Sequence, residues 1–178
     1  KKIGLKFIKL QTYKPNTITL DSDRKEFIIH KGHKLWGGKK LYDLYEKAHT
    51  PWEWHKKIFE EAKKLGITCF STPFDETSVD FLESLNNPIY KIASFEITHI
   101  PLIRKVAKTK KPIILSTGMA TKDEIKDAIR VIKKEKNFNY SILKCTSNYP
   151  ADPRDANLNS IPDMIKSFKC TVGISDHT

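Results

Sequence analysis

Short runs of β-branched and aromatic residues recur along the chain, and longer segments with a helical spacing of apolar residues separate them. Six of these runs predict strands, at residues 5–12, 67–72, 89–94, 113–117, 140–147 and 170–175. From the second run onward each ends at or next to a hydroxyl residue, in the order Thr72, Ser94, Ser116, Ser147 and Ser175. These positions lie 22 to 31 residues apart, which is enough for one strand and one returning helix. The pattern therefore predicts a parallel α/β sheet.

Local signals also mark where several helices begin. A capping box at residues 50–53, with Thr50 as the cap and Pro at the first helical position, predicts a helix that ends at Gly66. A second capping box at residues 121–124 and the side chain of Asp75 predict two further helix starts. Weaker helical patterns cover residues 97–108 and 161–168.

Two architectures hold strands that alternate with helices, an open doubly wound sheet and a (β/α)₈ barrel. No G-x-G-x-x-G or P-loop sequence follows a predicted strand, which weakens the doubly wound, dinucleotide-binding hypothesis. Polar residues at nearly every strand end favour the barrel, because its active site gathers at the carboxyl ends of the strands. A closed barrel needs eight strands and about 250 residues. We therefore expect residues 1–178 to form an incomplete (β/α)₈ TIM barrel with roughly six of its eight βα units.

Residues 13–49 interrupt this rhythm with a long, polar and aromatic segment that has two adjacent glycines near its centre. A loop of that length after a single strand is typical of a functional lid or an insertion. We expect a lid-like insertion here.

Composition excludes some classes of protein. The chain has 178 residues, and its nine Phe, six Tyr and three Trp favour a folded protein over a disordered one. It has no run of about 18 apolar residues, so no membrane-spanning helix is expected. It opens without Met and without a signal-peptide layout, so we expect an excerpt of a longer chain. Cys69, Cys145 and Cys170 lie far apart in or beside apolar runs, which predicts free thiols and a cytoplasmic location.

The net charge of +11 raises polyanion binding as a hypothesis. Much of the excess lies within residues 101–150 on amphipathic helical patterns, where lysines usually form a solvated outer face. No zinc finger, RNA-binding aromatic signature or Arg-rich arm accompanies it. We therefore expect no nucleic-acid partner.

Polar side chains at the predicted strand ends give the clearest indication of chemistry. They are Lys9, Gln11, Thr72, Lys91, Ser94, Glu96, Ser116, Thr117, Ser147, Asn148, Ser175, Asp176 and His177. Lys9 and Lys91 lie inside otherwise apolar strands, where an unpaired cation is costly unless its side chain reaches solvent. Two lysines among several hydroxyls suit a small anion such as phosphate. The residues alone predict a phosphate-handling barrel enzyme, with a non-catalytic anion-binding barrel as the alternative.

The histidines do not form a metal site on their own. His177 follows the last predicted strand, but no second histidine is placed to join it. His99 begins a helix. The others are expected to be solvated or to cap helices, namely His30, His33, His49 and His55.

Six ordered segments carry a resemblance to a known family. They are KxQT at 9–12, FSTPF at 70–74, YKIxSxE at 90–96, PIILSTGM at 112–119, CTxxYP at 145–150 and GxSDHT at 173–178. Together they resemble the sialic acid synthase family, whose members condense phosphoenolpyruvate with an N-acetylated amino sugar. Within it, LYDLY at 41–45, TPWEWH at 50–55 and Phe95 are similar to the pseudaminic acid synthase branch.

The resemblance implies two substrates and a metal ion. Phosphoenolpyruvate would be held by Lys9, Thr72, Lys91, Ser94, Ser116, Ser147 (or the adjacent Asn148) and Ser175. Gln11, Glu96 and Tyr149 would face the sugar, and His177 would bind a divalent ion, Mn²⁺ or Mg²⁺. The expected sugar is 2,4-diacetamido-2,4,6-trideoxy-L-altrose, with pseudaminic acid and phosphate as products. The same chemistry on another sugar, giving N-acetylneuraminate or legionaminate, is the alternative.

The resemblance also implies parts that residues 1–178 lack. The family's first strand carries a catalytic Glu, its last strand carries a second metal-binding His, and its C-terminal antifreeze-like domain crosses to the partner in a homodimer. No catalytic residue is therefore assigned within this chain. We expect the chain alone to be inactive and poorly stable, because an open barrel exposes two edge strands.

Overall fold

One parallel sheet of six strands lies at the centre of the computed structural model, which describes residues 4–33 and 35–178. The strands are β1 (Phe7–Thr12), β2 (Thr68–Pro73), β3 (Tyr90–Ile92), β4 (Ile113–Ser116), β5 (Tyr140–Cys145) and β6 (Thr171–Ser175). All six predicted strands are confirmed.

The order of strands in the sheet follows the order of the chain, from β1 to β6. Parallel strands joined consecutively by right-handed crossovers place their helices on one face of the sheet, whereas a doubly wound sheet needs a reversal of strand order. The order matches consecutive units of a (β/α)₈ barrel and excludes the doubly wound alternative. Within the described residues, β1 pairs only with β2 and β6 pairs only with β5.

Helices connect the strands and cover one face of the sheet. They are α1 (Pro15–Ile18), α2 (Leu41–Ala48), α3 (Trp52–Lys64), α4 (Glu76–Ser84), α5 (Ile100–Lys108), α6 (Lys122–Lys134) and α7 (Ser160–Phe168). Short 3₁₀ turns occur at Lys25–Phe27, Ser94–Thr98 and Pro153–Ala156. In the portion of the chain that the structure covers, none of these helices is sufficiently long and apolar to cross a membrane.

The hydrophobic core fills the space between the sheet and helices α4 to α7. Tyr90 and Leu115 from the strands and Leu82, Leu102 and Ile132 from the helices are fully buried there. Burying one such side chain stabilises a fold by about 1.5–3 kcal/mol relative to leaving it exposed. The core therefore lies on the helical face and leaves the opposite face of the sheet for other contacts.

The start of α3 corrects one prediction. Pro51, not Thr50, occupies the N-cap position with an extended backbone, and no side chain caps the helix. The helix consequently begins at Trp52, whose indole N–H donates to the carbonyl oxygen of Tyr13 (3.2 Å). By contrast, the capping box at residues 121–124 and the capping role of Asp75 are confirmed.

His55 was expected to be solvated or to cap a helix, and this prediction is wrong, because His55 is fully buried. Its Nδ1 lies 3.1 Å from the carbonyl oxygen of Pro51, which can only accept, so Nδ1 carries the proton. Its Nε2 then accepts from the hydroxyl of Thr12 (2.9 Å), whose oxygen accepts from Ser71 (2.7 Å). Burial lowers the pKa of His55, which favours this neutral form. The chain of bonds fastens α3 to the carboxyl ends of β1 and β2.

Two buried asparagines stabilise the amino-terminal side of the sheet. Asn87 accepts from the backbone N–H of Ser71 (3.0 Å) and donates to the carbonyl oxygen of Ile89 (2.7 Å). Asn137 donates to the carbonyl oxygen of Lys111 (2.9 Å) and accepts from the backbone N–H two residues later (3.1 Å). Each side chain therefore satisfies backbone groups that the ladder of the sheet leaves unpaired.

The segment at residues 13–49 contains α1, a 3₁₀ turn, an antiparallel bridge between Ile28 and Lys40, and α2. Lys40 makes ion pairs with Asp21 and Asp23, and these carboxylates raise its pKa. The segment is thus an insertion with local structure of its own, and its role as a lid stays a prediction.

Many lysines of the basic segments lie on the outer helices, as expected. Several form ion pairs between neighbouring elements: Lys105 with Asp80 (2.6 Å), Lys111 with Glu83 (2.6 Å) and Lys122 with Asp163 (2.7 Å). Each such exposed pair contributes about 0–1 kcal/mol. These lysines therefore have a structural explanation that needs no polyanion.

We expect Asn137→Ala to lower the free energy of unfolding by about 1–3 kcal/mol, because it leaves two backbone groups unpaired near the core. A loss of this size lowers the melting temperature of the full-length protein by several degrees. Asn139→Ala is the matched control, since Asn139 is exposed. Equal melting temperatures for the two variants would contradict the role given to Asn137.

Candidate functional site

The strands end at one edge of the sheet, where they surround a cavity of about 750 Å³. Nine of the eleven predicted site residues line it: Lys9, Gln11, Thr72, Lys91, Ser94, Glu96, Tyr149, Ser175 and His177. Ser116 and Ser147, the other two, lie at the ends of β4 and β5 and do not border the cavity directly. The cavity occupies the position at which barrel enzymes hold their active sites.

Strand alternation explains which side chains reach the cavity. In β3, Tyr90 and Ile92 enter the core while Lys91 lines the cavity. In β4, Ile113 and Leu115 enter the core while Ile114 lines the cavity. Strand β3 is therefore apolar on the face that packs on the core and carries the polar side chain of Lys91 on the face that lines the cavity.

Two ammonium groups share this cavity. Burial, together with the positive charge of Lys9, lowers the pKa of Lys91 to about 8. Lys9 lies on an edge strand and is exposed as a residue, yet desolvation still lowers its pKa. Within residues 4–33 and 35–178, neither lysine forms a salt bridge. A bound anion would supply the missing negative charge.

Strand-end hydroxyl groups line this cavity or lie close behind its lining, and two of them lack protein partners. Thr72 Oγ1 and Ser116 Oγ are buried and, among the described residues, have no hydrogen-bond partner. Ser94 Oγ accepts from the backbone N–H of Gly118 (3.2 Å). Ser147 is half-buried next to this group whereas Asn148 is exposed, which favours Ser147 of the two alternatives for an anion contact. Buried hydroxyls without partners are expected where a ligand completes the hydrogen bonding.

Glu96 adds a carboxyl group from the 3₁₀ turn Ser94–Thr98. Burial raises its pKa to about 7, although its own backbone N–H and the charge of Lys91 act in the opposite direction. Its Oε2 atom is buried and has no hydrogen-bond partner in the described residues. Burial raises the pKa values of Tyr45 and Tyr149, and the negative charge of Glu96 adds to both shifts, so Glu96 lies near both rings. Near neutral pH this carboxyl group is able to hold or release a proton.

His177 presents one nitrogen to the cavity. Its Nδ1 lies 2.9 Å from the carbonyl oxygen of Thr146, so Nδ1 is the protonated nitrogen. Its Nε2 keeps a lone pair and lies 3.3 Å from Ser175 Oγ. The ring of Tyr149 packs against the imidazole, with 4.3 Å between ring centroids. A carbonyl that fixes the tautomer in this way is typical of metal-binding histidines.

The donor set for a metal ion is nevertheless incomplete. No group of three His, Cys, Asp or Glu side chains suited to a metal ion occurs in the part of the chain described by the structure. His177 fits the role of one ligand, and the present residues do not form a whole site.

An aromatic wall, formed by Tyr13, Tyr45 and Phe74 with Ile18, was missed by the sequence analysis. The ring of Tyr13 makes edge contacts with Tyr45 (5.7 Å) and Phe74 (5.3 Å). All four residues line the cavity, and three of them come from the insertion. The many aromatic residues at 13–49 were the only sequence signal for this wall. Which of them line the cavity depends on how the segment folds back over the sheet.

The residues of the cavity fall into two chemical groups, which we name its cationic end and its second end. Lys9, Lys91 and the strand-end hydroxyls form a cationic end that suits a phosphate or carboxylate. The aromatic wall, Glu96 and Tyr149 form a second end with apolar surface and few charges, which suits an uncharged polar molecule such as a sugar.

Comparisons with a family model and with curated proteins agree on one family. The NeuB family matches residues 1–178. The chain is 49% identical over 178 residues to the pseudaminic acid synthase of Helicobacter pylori, covering 100% of this chain and 52% of that protein. It is 38% identical to the N,N'-diacetyllegionaminic acid synthase of Campylobacter jejuni, covering 98% of this chain and 52% of that protein. The chain thus spans about half the length of the curated relatives that it matches.

A solved structure agrees with the fold. The N-acetylneuraminic acid (sialic acid) synthetase from Leptospira borgpetersenii serovar Hardjo-bovis, in complex with citrate, matches with a TM-score of 0.80 and 29% identity. The match covers 96% of this chain and 54% of that one. The resemblance seen in the sequence motifs is confirmed at the level of the family and the fold.

We expect the affinity of the full-length protein for inorganic phosphate to fall as pH rises above about 8, the pKa of Lys91. The loss approaches about tenfold per pH unit once Lys91 is neutral. Calorimetric titration at pH values on both sides of that pKa measures it. Lys91→Arg keeps its charge, so its affinity should stay nearly level over the same range. A level wild-type profile would contradict the role of Lys91.

Proposed function

The chain belongs to the NeuB family, and on that premise we propose that the whole protein is a pseudaminic acid synthase. It would condense phosphoenolpyruvate with 2,4-diacetamido-2,4,6-trideoxy-L-altrose and water to give pseudaminic acid and phosphate. The observation that supports this sugar is 49% identity over the whole chain with a pseudaminic acid synthase. The observation that supports the chemistry is the pair Lys9 and Lys91, which form no salt bridge within the described residues, beside the hydroxyl groups of Thr72 and Ser116, which lack partners there.

In this proposal the cationic end of the cavity binds phosphoenolpyruvate. Lys9 and Lys91 face its negative charges, because neither ammonium group is neutralised by a carboxylate of the described residues. Hydroxyl groups complete the contacts, from Thr72, Ser94, Ser116, Ser147 and Ser175. The lysines also stabilise the charge that develops on the phosphate as it leaves.

The second end of the cavity binds the amino sugar. Gln11, Glu96 and Tyr149 offer polar contacts, and the aromatic wall offers apolar surface to the acetamido methyl groups and the deoxygenated C6. Glu96 has a pKa raised to about 7, so it is able to donate a hydrogen bond or hold a proton at a sugar oxygen.

The reaction forms one carbon–carbon bond and one carbon–oxygen bond, the latter to water, and breaks the carbon–oxygen bond to phosphate. C3 of phosphoenolpyruvate attacks the aldehyde carbon of the open-chain sugar, water adds at C2, and phosphate departs with its bridging oxygen. The residues of this chain hold the two carbons next to each other. A divalent ion, Mn²⁺ or Mg²⁺, held in part by His177, would polarise the aldehyde oxygen when bound.

The remaining parts of the proposal concern the whole protein. We propose a homodimer, with a catalytic Glu and a second metal-binding His supplied from outside residues 1–178, so that this chain alone is inactive. We also propose a cytoplasmic location, which is supported by the three free thiols of Cys69, Cys145 and Cys170.

We expect the full-length protein to release phosphate from phosphoenolpyruvate fastest with 2,4-diacetamido-2,4,6-trideoxy-L-altrose. Assays with this sugar, with N-acetylmannosamine and with the legionaminate precursor compare the three candidates directly. Preference for either of the others would replace the sugar while keeping the chemistry. Lys91→Ala should lower the rate by orders of magnitude, about 10² or more. Phosphoenolpyruvate binding without turnover of any sugar would instead favour a non-catalytic anion-binding barrel.

We expect His177→Ala to weaken Mn²⁺ binding by the full-length protein by roughly 10- to 100-fold. Replacing a residue that only hydrogen-bonds to a metal ligand already causes losses of this size. Paramagnetic resonance of free Mn²⁺ during a titration measures binding without reference to activity. His30→Ala is the control, because His30 is exposed and does not line the cavity. Unchanged Mn²⁺ affinity in His177→Ala would remove His177 from the metal site.

A further inference from the structure

We propose that Gly118 is a positioning residue for the anion-binding end of the cavity, acting on the hydroxyls of Ser94 and Ser147. This inference rests on the proposed function, because it assumes that the cavity binds phosphoenolpyruvate. Gly118 follows β4 and does not itself line the cavity. It acts through its neighbours, in two ways: it donates a hydrogen bond, and it leaves space.

The turn that carries Gly118 is fixed on both sides. Its predecessor Thr117 donates twice to the carbonyl oxygen of Leu143 in β5, from the backbone N–H (3.0 Å) and from Oγ1 (2.9 Å). On the β3 side, the N–H of Gly118 donates to Ser94 Oγ (3.2 Å). The turn therefore has little freedom to move away from either neighbouring strand.

The hydrogen bond sets the direction of the Ser94 hydroxyl. Because Ser94 Oγ accepts from the N–H of Gly118, the hydroxyl proton of Ser94 is left to donate elsewhere. Ser94 lines the cavity, where the ligand is expected to be an anion. A backbone donor behind a hydroxyl thus orients its proton toward the bound phosphate or carboxylate, as a second layer of contacts does in other sites.

The missing side chain supplies the space in which these hydroxyls sit. A Cβ atom at residue 118 would lie less than 3.0 Å from Ser147 Oγ and 2.9 Å from Ser94 Oγ. It would also lie 3.3 Å from the carbonyl oxygen of Cys145, which is backbone and has little freedom to retreat. The φ of Gly118 is not in the left-handed region, so its conformation does not demand glycine. The requirement is for volume between two hydroxyls.

The test compares Gly118→Ala with wild type in the full-length protein. We expect a rise of about 10- to 100-fold in the dissociation constant and KM for phosphoenolpyruvate, because two oriented hydroxyl contacts to an anion are disturbed. The KM for the sugar should stay within about twofold, since the sugar end does not touch Gly118. Gly32→Ala is the control, because Gly32 lies exposed in the insertion and its added Cβ meets only the His30 ring.

A variant cycle identifies the route of the effect. The pair Ser94→Ala and Ser147→Ala removes both hydroxyl groups that a Cβ at position 118 would crowd, so adding Gly118→Ala to this pair should weaken phosphoenolpyruvate binding by no more than about threefold. This comparison also serves if Gly118→Ala alone fails to fold. A further loss of tenfold or more in the Ser94→Ala, Ser147→Ala background would overturn the proposal, as would an unchanged phosphoenolpyruvate affinity in Gly118→Ala. Equal losses for phosphoenolpyruvate and sugar would do the same, since they indicate general packing.

The outcome separates this inference from the proposed function. If the wild-type protein does not bind phosphoenolpyruvate in calorimetric titration, the proposed function fails first. If the wild type binds it and Gly118→Ala binds it equally well, the proposed function stands and the role of Gly118 is refuted.

Discussion

Two lysine ammonium groups in one cavity, with no carboxylate bonded to either within the described residues, form the constraint on which the rest of the site depends. Desolvation opposes the charged form of both, and their repulsion adds to it. The unfolded chain holds its Lys91 proton up to a higher pH than the folded one. This burial therefore costs stability in full below about pH 8, and the cost disappears as pH rises toward the pKa of a free lysine. Such a cost is tolerable when an anion binds between the two groups.

The fold satisfies this constraint because the two faces of the sheet have different roles, one in the core and one in the site. On the helical face, Tyr90, Ile92, Leu115 and Ile142 belong to one continuous core that stabilises the domain. The opposite face then carries Lys9 and other polar groups without interrupting that core. Because the strands follow chain order, each carboxyl end adds its own polar residue to the same rim. The core and the site therefore use the same strands but mostly different side chains.

Most of the framework was predictable from sequence, because periodicity and turn chemistry are local. The six strands and the caps at Asp75 and Thr121 belong to this class. His55 was not predictable, since its burial depends on Thr12, a residue 43 positions away. The site residues came from strand ends and motifs, whereas the aromatic wall depends on how residues 13–49 fold over the cavity. Sequence reasoning failed where a side chain's environment is made by distant segments.

The two ends of the cavity are coupled through charge. The same burial raises the pKa of Glu96 to about 7 and lowers that of Lys91 to about 8, although mutual attraction between the two groups opposes both shifts. Near neutral pH the cavity is therefore close to gaining or losing one proton at either end. A multiply charged anion beside Lys91 stabilises its ammonium form and, by weakening the attraction that Lys91 exerts on the carboxylate, favours the protonated form of Glu96. Occupation of the anion end would thus leave Glu96 better prepared to donate a hydrogen bond to an oxygen atom of a molecule bound beside it.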